Sequence, residues 1–120
     1  MDVLLKKILS EKKQNKKLTI TIYEKSKNFG SGTVHSKKLY SELLLNRIAG
    51  QISLGSFPFK KFPKTLRKYE YNFLQWSKKN NLIYKYTDWP PRSIFGNALE
   101  EKFFDLIYLF EKYTSVKIIL

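Results

Sequence analysis

The chain has no cysteine, one histidine and only three arginines in 120 residues. Without cysteine there is no disulfide, no thiol nucleophile and no zinc-thiolate site. The lone histidine, His35, does not make a metal cluster. It stands beside Ser36, but a loop histidine next to a helix-capping serine is a plainer reading than a base and nucleophile. Acids are also scarce, ten against 23 basic residues, and they are scattered. No paired-carboxylate motif, nucleophile elbow or metal-ligand spacing appears. The residues therefore predict a protein that is not an enzyme and uses no cofactor. Long apolar runs are missing too, so no transmembrane span is expected. The opening MDVLLKKILSEKK is too short and too charged for a secretory signal.

What the chain has is positive charge. The formal net charge is +13 and the pI about 9.9. Charge of that size repels itself and points to an acidic partner: RNA, DNA or an anionic membrane surface. Twenty of the basic residues are lysine, and ten isoleucines stand against two alanines. That bias implies an AT-rich genome, as in an organelle, a low-GC bacterium or a virus. It accounts for part of the lysine but not for the excess of lysine over acids.

Periodicity divides the chain into elements. Residues 1–13 fit a short basic amphipathic helix inside a basic extension, 1–17. A single domain, 18–120, follows. Leu18, Ile20 and Ile22 alternate with Thr19, Thr21 and Tyr23, as in a strand. F-G-S-G-T at 29–33 has two glycines but no following G-K-[ST], so it reads as a plain loop. Ser36 is placed to cap a helix from about Lys37 to Ala49, with Leu39, Leu43, Leu44 and Ile48 buried and Gly50 at its end. Ile52 to Phe59 reads as a strand, and K-K-F-P-K at 60–64 as a basic turn. Residues 65–76 fit strand and helix alike, with aromatic density favouring strand. Residues 82–88 read as a strand, and W-P-P-R breaks regular structure. Asn97 with Glu100 suggests a capping box for a helix to about Lys112. Val116, Ile118 and Leu120 alternate as a closing strand. The order is β-α-β-β-α-β, the α+β split, ferredoxin-like arrangement, with a long basic β-hairpin. In it the last strand is buried beside an earlier one.

Nucleic-acid binding is the function this composition favours. Lys16, Lys17, Lys25 and Lys27 flank the first strand. Lys60, Lys61, Lys64, Arg67 and Lys68 cluster at the basic turn, and Lys78, Lys79 and Lys85 lie beyond it. Long cations on loops reach a phosphate backbone well. Trp76, Trp89, Tyr84 and Tyr86 lie among these charges; both base stacking and core packing suit them.

The pattern resembles the small-subunit ribosomal protein S-ten family. L-T-I-T-I-Y at 18–23 is similar to that family's first strand. L-G-S-F-P-F-K-K at 54–61 is similar to its proline-containing strand and basic turn, and R-K-Y-E-Y-N-F at 67–73 to its outgoing hairpin strand. Y-K-Y-T-D-W-P-P-R-S-I-F at 84–95 is similar to the returning segment, with Thr87 and Arg92 the best matches. E-K-F-F-D-L-I at 101–107 through V-K-I at 116–118 is similar to its closing helix and strand. The resemblance implies a structural constituent of the ribosome that binds ribosomal RNA in the small-subunit head. Its partners would be that RNA and neighbouring head proteins, with no membrane and no small-molecule substrate. It implies a mitochondrial, organelle-encoded copy, or otherwise the cytoplasm of a low-GC organism. The alternative is a phage or mobile-element protein that binds nucleic acid or antagonises an enzyme acting on it.

Overall fold

A computed structural model describes residues 17–54 and 68–120. The expected helix at 1–13, the basic turn at 60–64, and Lys16, Lys60, Lys61, Lys64 and Arg67 lie outside the described residues. The chain is α+β. Strand β1 (Leu18–Thr21) pairs with strand β2 (Val116–Ile119), helix α1 spans Phe73–Lys79, and helix α2 spans Arg92–Tyr113. No helix among the described residues is long and apolar enough to cross a membrane.

The two strands run parallel, with Leu18 opposite Val116 and Ile20 opposite Ile118. The Ile22 N–H donates to the Ile119 carbonyl at 2.8 Å and extends the ladder by one bond. Val116 and Ile118 are buried against Leu106, Leu109 and Phe110 of α2, with Ile20, Ile22 and Tyr69 packed around them. The chain end is thus held by burial, as its alternation predicts. Thr114 makes the junction. Its hydroxyl donates to the Phe110 carbonyl at 2.5 Å and accepts from the Val116 N–H at 3.1 Å. The helix is stopped and the strand begun within two residues.

The direction of the pairing departs from the ferredoxin-like expectation. In a β-α-β-β-α-β chain each helical crossover preserves strand direction and the central hairpin reverses it, so the last strand lies antiparallel to the first. Here it is parallel, and the described residues hold two strands instead of four.

The helix expected over 37–49 is absent, because its backbone bonds elsewhere. The Leu45 N–H donates to the Pro90 carbonyl at 2.9 Å, Ala49 to Asp88 at 2.8 Å and Gly50 to Tyr86 at 2.9 Å. Arg92 returns a bond to the Leu43 carbonyl at 2.7 Å, and Leu44 bridges Pro91 antiparallel. These tertiary bonds replace the internal ladder a helix needs. Leu43 and Leu44, expected in a buried stripe, are exposed, while Leu45 and Ala49 are buried. Ala49–Gln51 form one 3-10 turn. Ser36 still caps, accepting the Lys38 N–H at 3.3 Å, but no helix follows it.

The described part of the basic hairpin is not a hairpin either. Asn72 accepts the Gln75 N–H, and the Gln75 side chain accepts the Asn72 N–H, both at 2.9 Å. This capping box starts α1 where aromatic alternation favours a strand. The helix is capped at Asn80 and followed by Asn81, whose φ of +58° is left-handed, and the Leu82 N–H closes back on the Ser77 carbonyl at 2.8 Å. The strand expected at 82–88 is a loop. Asp88 folds it by accepting the Lys85 N–H at 2.7 Å, and Ile83 is 95% exposed. Residues 52–54 are extended without a ladder; Ile52 and Leu54 face the core.

Helix α2 begins five residues before the expected cap. Pro91 is its N-cap and Arg92 its first residue, so the proline pair starts the helix and does not merely break structure. Two glycines let loops approach α2. A Cβ on Gly96 would collide with the His35 carbonyl oxygen. A Cβ on Gly30, which has φ +82°, would lie 2.7 Å from the Leu99 carbonyl oxygen.

Candidate functional site

Phe73, Trp76, Ala98, Leu45, Ala49, Ile52 and Leu54 form a second core, which fixes α1 against α2. Phe73 is its centre, with ring centroids 5.6 Å from Trp76, 5.5 Å from Tyr84 and 6.4 Å from Phe95. Beside this core the two helices leave a cleft of about 850 Å³. Leu82, Ile94, Phe104 and Trp76 give it apolar walls, and Lys37, Asn80, Asn97, Glu100 and Glu101 give it polar groups.

Three of the polar groups, Asn97, Glu100 and Glu101, come from consecutive turns of α2, Asn80 caps the end of α1, and Lys37 stands on a loop. Asn97, Glu101 and Phe104 are spaced i, i+4, i+7, so they share a face. Glu101 is the most heavily bonded. Its carboxylate accepts from Trp76 Nε1 at 2.7 Å, Lys79 Nζ at 2.6 Å and Asn80 Nδ2 at 3.3 Å. Burial pushes its pKa up, but the bonds from Lys79 and Trp76 outweigh burial and hold it below the ordinary 4.5. Lys79 rises in return, chiefly through the same bond. Lys37 pairs with Glu100 across the cleft mouth. Asn97 differs from these: its Oδ1 is buried and has no hydrogen-bond partner among the described residues. An orphaned acceptor costs about 1–3 kcal/mol and calls for an explanation. Below the cleft, the Tyr71 hydroxyl donates to Asp105 at 2.7 Å, and burial followed by that bond drives its pKa far up.

The Glu101 cluster sets a pH prediction. A carboxyl whose folded pKa is depressed adds stability above its unfolded value, and this is lost as pH falls through the folded one. Stability is therefore expected to drop as pH falls below about 4.5. In Glu101→Gln the thermal midpoint should be lower at pH 7 and fall less steeply between pH 5 and 3. Parallel midpoint curves for the two proteins would remove Glu101 from the acid limb.

Among the described residues, the cations expected to contact RNA do not form one site. Lys17, Lys25 and Lys27 are exposed around β1, and Lys68, Lys78 and Lys85 are exposed elsewhere. Lys68 lies over the Tyr69 ring at 5.1 Å. Arg92 is half-buried and donates Nε to the Leu44 carbonyl at 3.2 Å. Trp76 is only 3% exposed, so it is not a stacking platform for bases. Trp76 and Lys79 are the two members of that set brought together, and they meet on Glu101. Tyr84 packs on Phe73, whereas Trp89 and Tyr86 are exposed. Sequence reasoning passed over Asn97, Glu100 and Glu101 as a cap and solvated acids. A helix start at Pro91 would have placed them mid-helix on one face. Among the described residues no group of three or more histidine, aspartate or glutamate side chains is placed to hold a metal.

Comparison with known families decides between the functional classes. A model of FAD-NAD(P)-binding proteins matches residues 3–119, nearly the whole chain. The chain belongs to the FAD-NAD(P)-binding family. No curated protein matches the sequence. The family overturns the resemblance to ribosomal protein S-ten and the ribosomal role it implied. It equally overturns the expectation of a non-enzyme, and that of ribosomal RNA and head proteins as partners with no small molecule. The physical reason is that lysine surplus and closing-helix spacing are shared by unrelated folds and carry no chemistry of their own.

Two places in the chain are candidates for such a cofactor. G-S-G at 30–32 has the first two glycines of a dinucleotide fingerprint, with His35 where the third belongs. Both glycines have positive φ, but no helix follows the loop, and α2 occupies the space beside Gly30. The loop does not fit a pyrophosphate. The cleft between α1 and α2 suits the adenosine half better: it is open, with aromatic and aliphatic walls and a carboxylate rim.

Proposed function

We propose that this FAD-NAD(P)-binding family chain holds its cofactor by the adenosine half in the cleft between α1 and α2, as the cofactor-holding part of an oxidoreductase. The observation that carries the reading is the orphaned Asn97 Oδ1 beside the cleft, closed off from solvent until the side chain turns to meet a ligand. An adenine exocyclic amine is a donor of the kind this oxygen lacks. Leu82, Ile94 and Phe104 supply apolar walls for the base, with Trp76 buried behind them. Glu100 accepts from ribose hydroxyls, and Lys37, now paired with it, supplies a cation for phosphate. Glu101 is already held by three donors, and its part is to fix Trp76. The bound cofactor would supply electron or hydride transfer, and the chain would bind and orient it.

The test is Asn97→Leu. Removing an unpaired buried acceptor is expected to raise stability by about 1–3 kcal/mol. The same change should weaken binding of FAD or NAD by on the order of tenfold, the loss of one hydrogen bond. Trp76 fluorescence, isolated by Trp89→Phe, reads the binding. The reading fails if neither FAD nor NAD(P) perturbs Trp76, or if Asn97→Leu binds as tightly as the parent.

A further inference from the structure

A separate cavity of about 230 Å³ lies where residues 45–53 meet His35 and the first turn of α2. Leu45, Ile52 and Phe95 form its apolar floor. Its polar groups are His35, Asn46, Arg47 and Ser53, and no lining residue is acidic. The His35 ring stands edge-on to Phe95, with centroids 5.0 Å apart, and its backbone carbonyl rests on Gly96. The imidazole is thus held in place, yet its Nδ1 is buried and finds no partner among the described residues. Arg47 forms no ion pair with a described residue.

We infer that this cavity is a binding site for a small oxyanion, a phosphate or carboxylate group, which Arg47 neutralises beside the His35 ring. Two features agree with this. A cation without a carboxylate beside it attracts an anion, and a guanidinium fork matches the oxygens of either group. Asn46 and Ser53 add neutral hydrogen-bond donors to a lining that holds no acid. Burial, and then the charge of Arg92, hold the His35 pKa below the ordinary 6.5, and an anion beside the ring raises it. The site is distinct from the cofactor cleft, shares no lining residue with it, and does not rest on that reading.

His35 is the chain's single histidine, so its ring resonances report the site without further assignment. The full chain is titrated with inorganic phosphate at pH 7, and separately with acetate, at constant ionic strength made up with chloride. A saturable shift of the His35 ring signals is expected with at least one of the two, together with a rise in the pH at which the ring titrates. Phosphate alone would assign the site to tetrahedral anions, and acetate alone to carboxylates. In Arg47→Gln, an exposed position, the affinity should fall at least tenfold while the thermal midpoint holds. A response that does not saturate, that chloride reproduces, or that persists in Arg47→Gln overturns the inference.

Discussion

Removing residues 116–120 is expected to unfold the domain. Val116 and Ile118 are 6% and 7% exposed and close the core formed by Leu106, Leu109 and Phe110. Burying such side chains contributes about 1.5–3 kcal/mol each, so the pair is worth about 3–6 kcal/mol. That approaches the 5–15 kcal/mol of a whole small domain. The deletion also strips β1 of its only strand partner among the described residues, and a lone strand has nothing to hold its register. Leu120 is 49% exposed, so deleting it alone should change stability by no more than about 0.5 kcal/mol. Thermal unfolding followed by circular dichroism separates the two. A cooperative transition at the parent midpoint in the chain ending at Ser115 would show that β2 is not integral to the fold.

The elements legible in the sequence are those whose pattern and packing agree. At 18–21 and 116–119 β-branched residues alternate, and the apolar set of β2 faces the core. Over α2, Leu106 and Phe110, four residues apart, are buried on one face as a helical period requires. The start of α2 was hidden because an N-x-x-E box is a generic signal, and Pro91 at the cap overrode it. Residues 37–49 have the composition of a helix, but local propensity is a weak prior. Partners at 86–92 took their backbone groups, and nothing in the one segment announces the other. In α1, by contrast, Asn72 and Gln75 carried a readable start that the aromatic alternation of Tyr69, Tyr71 and Phe73 masked.

The site was less legible than the fold, for a different reason. Positive charge is visible in composition, whereas an orphaned acceptor exists only once helices are packed. Asn97 acquires meaning from Trp76 on α1, 21 residues earlier in the chain, and from Lys37 on a loop. Lysine surplus suggested a polyanion, yet the cations the structure gathers at the cleft, Lys37 and Lys79, are each paired with one carboxylate, Glu100 and Glu101. The redox family of the chain leaves no fingerprint in its glycines, because Gly30 serves the packing of a loop on α2.

Phe73→Ala is expected to cost about 3–5 kcal/mol, the range for deleting a fully buried aromatic ring. Phe73 has no exposed surface, and its ring touches Trp76, Tyr84 and Phe95 from three different segments. The methyl that remains would leave a cavity at the point where α1 docks on α2, too central for either helix to collapse into. Phe73→Leu keeps most of the volume and should cost less than about 1.5 kcal/mol. Ile83→Ala, at a side chain in solvent, should stay within about 0.5 kcal/mol. Denaturant midpoints rank the three. The alanine variant also undercuts the cleft, since Trp76 packs on the lost ring and presents its indole nitrogen to Glu101 from that seat. Cofactor affinity is therefore expected to fall in Phe73→Ala even at temperatures where the chain remains folded, and to be largely kept in Phe73→Leu. Equal stability of Phe73→Ala and Ile83→Ala would mean that α1 is not docked as described, and the cleft beside it would lose its wall.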